Sequence, residues 1–76
     1  MMNRDYTVRA GVIRLERTRQ RLSQQRLADR AGLSIGQISR IETGSIETPH
    51  FDTIEKLAWA LELDADELYD VHLPTP

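Results

Sequence analysis

Apolar residues along this chain recur at spacings of three and four, in blocks separated by polar or glycine-containing breaks. Residues three and four apart share one face of a helix, so the pattern predicts amphipathic helices. Five are expected. The first runs from about Val8 to Gln20, with Val8, Val12, Ile13 and Leu15 as its apolar stripe. The second starts at Ser23, a good N-cap, and carries Leu27, Ala28 and Ala31; Gly32 follows, where a helix end needs a left-handed residue. The third starts at Ser34, with Gln37 three residues on completing a capping box. It directs Ile38 and Ile41 inward and ends at Gly44. The fourth follows Pro49 with Phe51, Ile54, Leu57, Ala58 and Leu61 at helical spacing. The fifth is short, capped by Asp64 and Glu67, with Leu68 and Val71 or Leu73 to pack. No run alternates apolar and polar residues long enough to read as a strand. The expected fold class is therefore all-α, one compact five-helix domain over 1–76 with its core at about 8–70. The ends, including Leu73-Pro74-Thr75-Pro76, are expected to fray.

Composition narrows the function classes. With 76 residues, the chain buries only about 60% of the surface it exposes when unfolded, so a partner subunit would help it. It has no cysteine, which excludes disulfides and thiolate chemistry, and two histidines, His50 and His72, do not complete a zinc site. No metal or cofactor is expected. The longest apolar run, Leu57 to Leu61, is far short of a membrane span, and Met1 to Tyr6 lacks the apolar core of a signal peptide. The expected location is cytoplasmic. No Ser/His/Asp set, carboxylate pair with a cleft or glycine-rich phosphate loop is visible, so an enzyme is not expected.

Net charge is −2, but the halves differ. Residues 1–40 carry nine arginines against three acids, a net +6, and residues 41–76 carry Lys56 against nine acids, a net −8. Such polarity suits one face for a polyanion and another that avoids it. It equally suits a helical domain that uses charge for solubility.

The second and third helices are the informative part. Only Gly32-Leu33-Ser34 joins them, and so short a link with a glycine free to take positive φ sets the axes at a steep angle. Ser23-Gln24, Leu27-Ala28, Ala31-Gly32-Leu33-Ser34, Ile38-Ser39, Ile41-Glu42 and Gly44 stand in one register. Ile13-Arg14 and Arg17 upstream, and Pro49, Thr53 to Ala58, Ala60-Leu61 and Leu68-Tyr69 downstream, extend it. With these residues the chain resembles the helix-turn-helix DNA-binding domains of the Cro and lambda-repressor (XRE-type) family. The resemblance covers about residues 10–70.

The resemblance implies that the helix from Ser34 to Thr43 lies in the major groove of double-stranded DNA. Ser34, Ile35, Gly36, Gln37 and Arg40 are then the candidates for base contacts. Arg40 suits guanine O6 and N7, with phosphate or solvent as its other reading. Gln37 suits adenine, or else turns back to the backbone as part of its capping box. Gly36 lacks a side chain where relatives often place a reading residue; it permits close approach or is merely tolerated. Direct readout is accordingly thin, and groove shape is expected to contribute more. Gln24, Arg14, Arg17, Arg21, Arg26, Ser39, Ser45 and His50 are the candidates for backbone contacts, Gln24 through a helix N-terminus. Arg17 and Glu42 match a family salt bridge that fixes the recognition helix. The loop from Gly44 to His50 departs from relatives that carry lysine or arginine there: Glu47 would repel phosphate, and His50 either makes binding sensitive to pH or simply starts a helix. Relatives dimerise through the last helix, which implicates Trp59, Leu63, Leu68, Tyr69, Val71 and Leu73, unless these close the monomer core.

The function expected is a sequence-specific DNA-binding transcriptional regulator, a nucleoid-associated homodimer that binds a palindromic operator through the helix at 34–43. The alternatives are a helical protein–protein interaction module or an antitoxin-like autorepressor; RNA polymerase or a toxin would then be a further partner.

Overall fold

The computed structural model describes residues 5–72, and its two ends meet as a pair of short strands. The order is β1 (Tyr6–Val8), α1 (Ala10–Arg19), α2 (Gln24–Ala31), α3 (Ile35–Thr43), α4 (Phe51–Leu61), one 3-10 turn (Ala65–Glu67) and β2 (Tyr69–Val71). The fold is thus mostly helical, with four α-helices in place of the five expected. The two strands run antiparallel, with Tyr6 opposite Val71, Thr7 opposite Asp70 and Val8 opposite Tyr69.

Both departures lie at the ends of the chain. The first predicted helix loses Val8 to β1. The fifth shrinks to a single turn: the Asp64 N–H reaches Oε2 of Glu67 at 3.0 Å, but Leu68 then turns into the core and the chain extends. Tyr6, Thr7, Val8, Tyr69 and Val71 are aromatic or β-branched, the types that suit a pleated surface. Three residues are too few to show alternation. Side chains reinforce the pairing. Nε of Arg9 donates to Asp70 at 2.8 Å, and that hydrogen bond holds the Asp70 carboxyl below the usual carboxylate range. The rings of Tyr6, Phe51 and Tyr69 meet edge to face with centroids 5.2–6.0 Å apart, and the Tyr6 hydroxyl donates to the Pro49 carbonyl at 2.6 Å.

The core is the inner stripe of each helix: Ile13 from α1, Leu27, Ala28 and Ala31 from α2, Ile38 and Ile41 from α3, Ile54, Leu57, Ala58, Ala60 and Leu61 from α4, closed by Val8, Leu22 and Leu68. Leu15 is not in it and is 60% exposed. At about 100° per residue it points some 200° away from Ile13. Arg17, by contrast, returns to within about 40° of Ile13 and so faces inward. The tails expected to fray, with Leu73, lie outside the described residues.

Candidate nucleic-acid interface

Local chemistry defines α2, the turn and α3 at every boundary. Oγ of Ser23 accepts the Arg26 N–H at 3.0 Å, which satisfies one of the donors that the start of α2 leaves free. Gly32 closes α2 at φ +71, and the Leu33 N–H returns to the Ala28 carbonyl at 2.9 Å. Ser34 then opens α3: its Oγ accepts the Gln37 N–H at 3.1 Å, and its own N–H donates to Oε1 of Gln37 at 3.0 Å. Gly44 closes α3 at φ +88.

Between these caps, Ile38, Ile41 and Glu42 are buried. The other side faces solvent. Ile35, Arg40 and Thr43 are exposed, and Gly36 and Ser39 are half-exposed beside them. Gly36, Ser39, Arg40 and Thr43 fall at i, i+3, i+4 and i+7, one continuous outward stripe. Thr43 was not among the residues the sequence singled out, although its spacing from Gly36 places it on that stripe. Its hydroxyl lies 3.3 Å from the Arg40 carbonyl and 3.4 Å from Oγ of Ser45.

The buried edge of α3 is tied to both neighbouring helices by Glu42. Nε of Arg17 donates to its Oε2 at 2.7 Å and Nη2 to its Oε1 at 3.0 Å, while Nε2 of Gln24 reaches Oε1 at 3.1 Å. Nη1 of Arg17 donates to the Leu22 carbonyl at 2.8 Å. Burial by itself would raise the Glu42 carboxyl. The hydrogen bonds from Arg17 and Gln24, with the charges of Arg17 and Arg14, outweigh it and hold the group below the usual carboxylate range. The same hydrogen bond raises the Arg17 guanidinium above its ordinary value.

These bonds redistribute the residues singled out by sequence. Arg17 spends three of its five N–H groups inside the chain, and its head is mostly covered, so it pins helices together and has little left for a phosphate. The Gln24 amide is engaged with Glu42, which leaves its backbone N–H, at the open start of α2, as the group without an intrahelical partner. Gln37 has its carbonyl oxygen in the cap; its amide N–H groups make no hydrogen bond among the described residues. Arg14, Arg21, Arg26, Ser45 and His50 are all exposed, and His50 stands at the start of α4 without a side-chain cap bond. Arg21 sits between α1 and α2 at φ +59, a left-handed value uncommon for a residue with a side chain. Of the apolar residues considered for a partner subunit, Trp59 is 72% and Val71 57% exposed, Leu63 and Tyr69 are half-buried, and Leu68 is fully buried. Leu68 therefore belongs to the monomer core and is not a surface residue.

A family model described as a helix-turn-helix domain matches residues 10–70, from the first residue of α1 into β2. The chain belongs to that family, in keeping with its resemblance to Cro- and lambda-repressor-like domains. Membership carries the coarse function with it: a DNA-binding regulator whose partner is DNA. No curated protein matches the sequence. Among the described residues no helix is long and apolar enough to cross a membrane.

Proposed function

We propose that this protein is a sequence-specific transcriptional regulator that lays α3 in the major groove of an operator. The observation that carries the reading is the outward stripe of α3. Its one arginine makes no ion pair among the described residues, while the apolar side of the same helix is locked into the core. A helix held rigidly on one side and bare on the other presents its side chains to base edges without reorganisation. In this reading Ser34, Ile35, Gly36, Gln37 and Arg40 approach bases. Arg14, Arg21, Arg26, Ser39, Ser45, His50 and the Gln24 N–H meet phosphates, and Arg17 with Glu42 holds the frame.

The same proposal makes the active form a cytoplasmic, nucleoid-associated homodimer on a palindrome. Trp59 and Val71 are large apolar side chains with nothing over them, and together with Leu63 and Tyr69 they supply the contact. A two-fold pair would set half-sites about 34 Å apart.

A protein-interaction module is the second reading. The acidic second half and the exposed Glu47 beside the candidate interface favour it. An antitoxin-like autorepressor would combine both, with a toxin or RNA polymerase as its protein partner. Selection from a random DNA pool, followed by binding to the enriched sequence across salt concentrations, separates the readings. A regulator loses affinity steeply, with a log–log slope of several units from released counterions. Absence of any DNA binding at low salt leaves only the interaction module.

A further inference from the structure

Gly36 leaves a gap on the exposed face of α3, and Arg40 fills it. A Cβ placed on Gly36 would stand 3.3 Å from Nη1, 3.5 Å from Nη2 and 3.7 Å from Cζ of Arg40. At Gly11, Gly32 and Gly44 the same Cβ would meet nothing within 4 Å. Arg40 lies one helical turn beyond Gly36, and long side chains on a helix lean toward its N-terminus. The guanidinium therefore rests over the first turn of α3, level with residue 36 rather than with its own backbone.

The lean is the ordinary one for a long helical side chain, but the seat at residue 36 brings the helix no stability. Glycine inside a helix is less favourable than alanine. The start of a helix is its positive end, so a cation held there gains nothing from the dipole. No carboxylate of the described residues pairs with Arg40 to offset this. A guanidinium with free N–H groups, parked beside a helix start, is complementary to an array of acceptor atoms, as the guanine edge offers in the major groove.

We propose that Gly36 is a positioning residue for base recognition: its missing side chain makes the slot from which Arg40 reads, so specificity belongs to the pair. The inference rests on the DNA-binding reading above. It also accounts for a recognition helix with a bare position where a reading side chain would stand: the bare position is occupied from one turn away. Alanine at 36 puts its Cβ 3.3 Å from Nη1, so the guanidinium must give way by a few tenths of an ångström and loses its seat against residue 36, while the helix itself becomes easier to form.

The test is a double-mutant cycle with Gly36→Ala and Arg40→Ala, in the whole chain, on the operator found by random selection and on its single-base variants. Thermal melting should show Gly36→Ala at least as stable as the parent. In the parent, Arg40→Ala should reduce preference at one base pair on the order of tenfold. In the Gly36→Ala background the same change should reduce it less than about threefold, with the salt slope unaltered. In the free protein, nuclear Overhauser effects between Gly36 Hα and the Arg40 δ and ε protons should be present and should weaken in Gly36→Ala. Equal loss of preference in both backgrounds, or absence of those effects in the parent, overturns the proposal while leaving DNA binding intact. If the parent enriches no sequence at all, the DNA-binding reading itself fails, and the pairing falls with it.

Discussion

Glu42, in the last turn of α3, receives Nε and Nη2 of Arg17, in the last turn of α1, at 2.7 and 3.0 Å. Residues 25 positions apart in sequence thereby fix the helix that faces outward against the helix that begins the core. The pair is buried on its acidic side, with Glu42 only 5% exposed.

Removing one partner strands the other. Arg17→Ala leaves a covered carboxylate with only Gln24, and should cost about 3 kcal/mol, on the order of 10–20 °C in melting temperature for a domain of this size. DNA affinity should fall with it, because α3 loses its anchor. The double change Arg17→Met with Glu42→Leu should recover most of the stability, since apolar side chains of similar size replace a buried pair at little loss. Thermal melting of the three variants checks this; equal loss in the single and double variants would show that the ion pair itself, rather than a stranded charge, sets the stability.

The same carboxylate makes folding sensitive to acid. Its pKa is lower folded than unfolded, so its contribution is complete above the ordinary glutamate value of 4.5 and disappears as pH falls through the folded value. Stability between pH 7 and 5 should be nearly flat on this account, with a decline beginning below about pH 4.5. Glu42→Gln should be less stable at pH 7 and should flatten the decline. Urea unfolding at several pH values measures both; a parallel acid limb in the variant would remove Glu42 as its source. Asp70, held down by Arg9 at the surface, acts in the same direction.

Arg40→Ala should relax specificity at one base pair by about 1–3 kcal/mol while leaving melting unchanged. A uniform loss across all sequences would reassign Arg40 to a phosphate.

Arg14→Gln and Arg26→Gln should each weaken binding to every sequence alike and lower the salt slope by about one unit. Titration of labelled DNA at several salt concentrations provides the slope. An unchanged slope would place that arginine off the duplex.

Glu62 ends α4 at φ +61, a conformation that a residue with a Cβ adopts at a cost. Glu62→Gly should therefore stabilise the domain by about 0.5–1 kcal/mol despite the greater freedom of glycine in the unfolded chain. A lower melting temperature would show that contacts of the Glu62 side chain outweigh the strain.

The parts of the molecule legible from sequence are those whose signals are local. Ser23, Gly32, Ser34, Gln37 and Gly44 each announce a helix boundary within three or four residues of themselves, and Leu27, Ala28, Ile38 and Ile41 follow the helical period. The strands escaped because three residues carry no period, and because their pairing joins positions more than sixty residues apart. Leu15 lies outside the stripe predicted for it because, two residues from Ile13, its angle places it on the far side of α1. Leu68 looked like spare apolar surface, since the core it closes comes from elements distant in sequence. For the interface, the outward face of α3 followed from the inward one. The engagement of Gln24 with Glu42 and the seat of the Arg40 guanidinium did not, because each depends on where the far end of a flexible side chain comes to rest.

The pairing of β1 with β2 brings Asp5 and His72 into direct contact, the His72 N–H donating to the Asp5 carbonyl at 2.7 Å. Positions 5 and 72, the two ends of the described residues, thus lie side by side, like the two ends of a closed clasp. A peptide of a few residues could bridge them into a ring, trimming the disorder available to the denatured chain and raising resistance to heat. By the same token, new termini could be opened at an exposed connection elsewhere, yielding a permuted protein with its reading surface undisturbed.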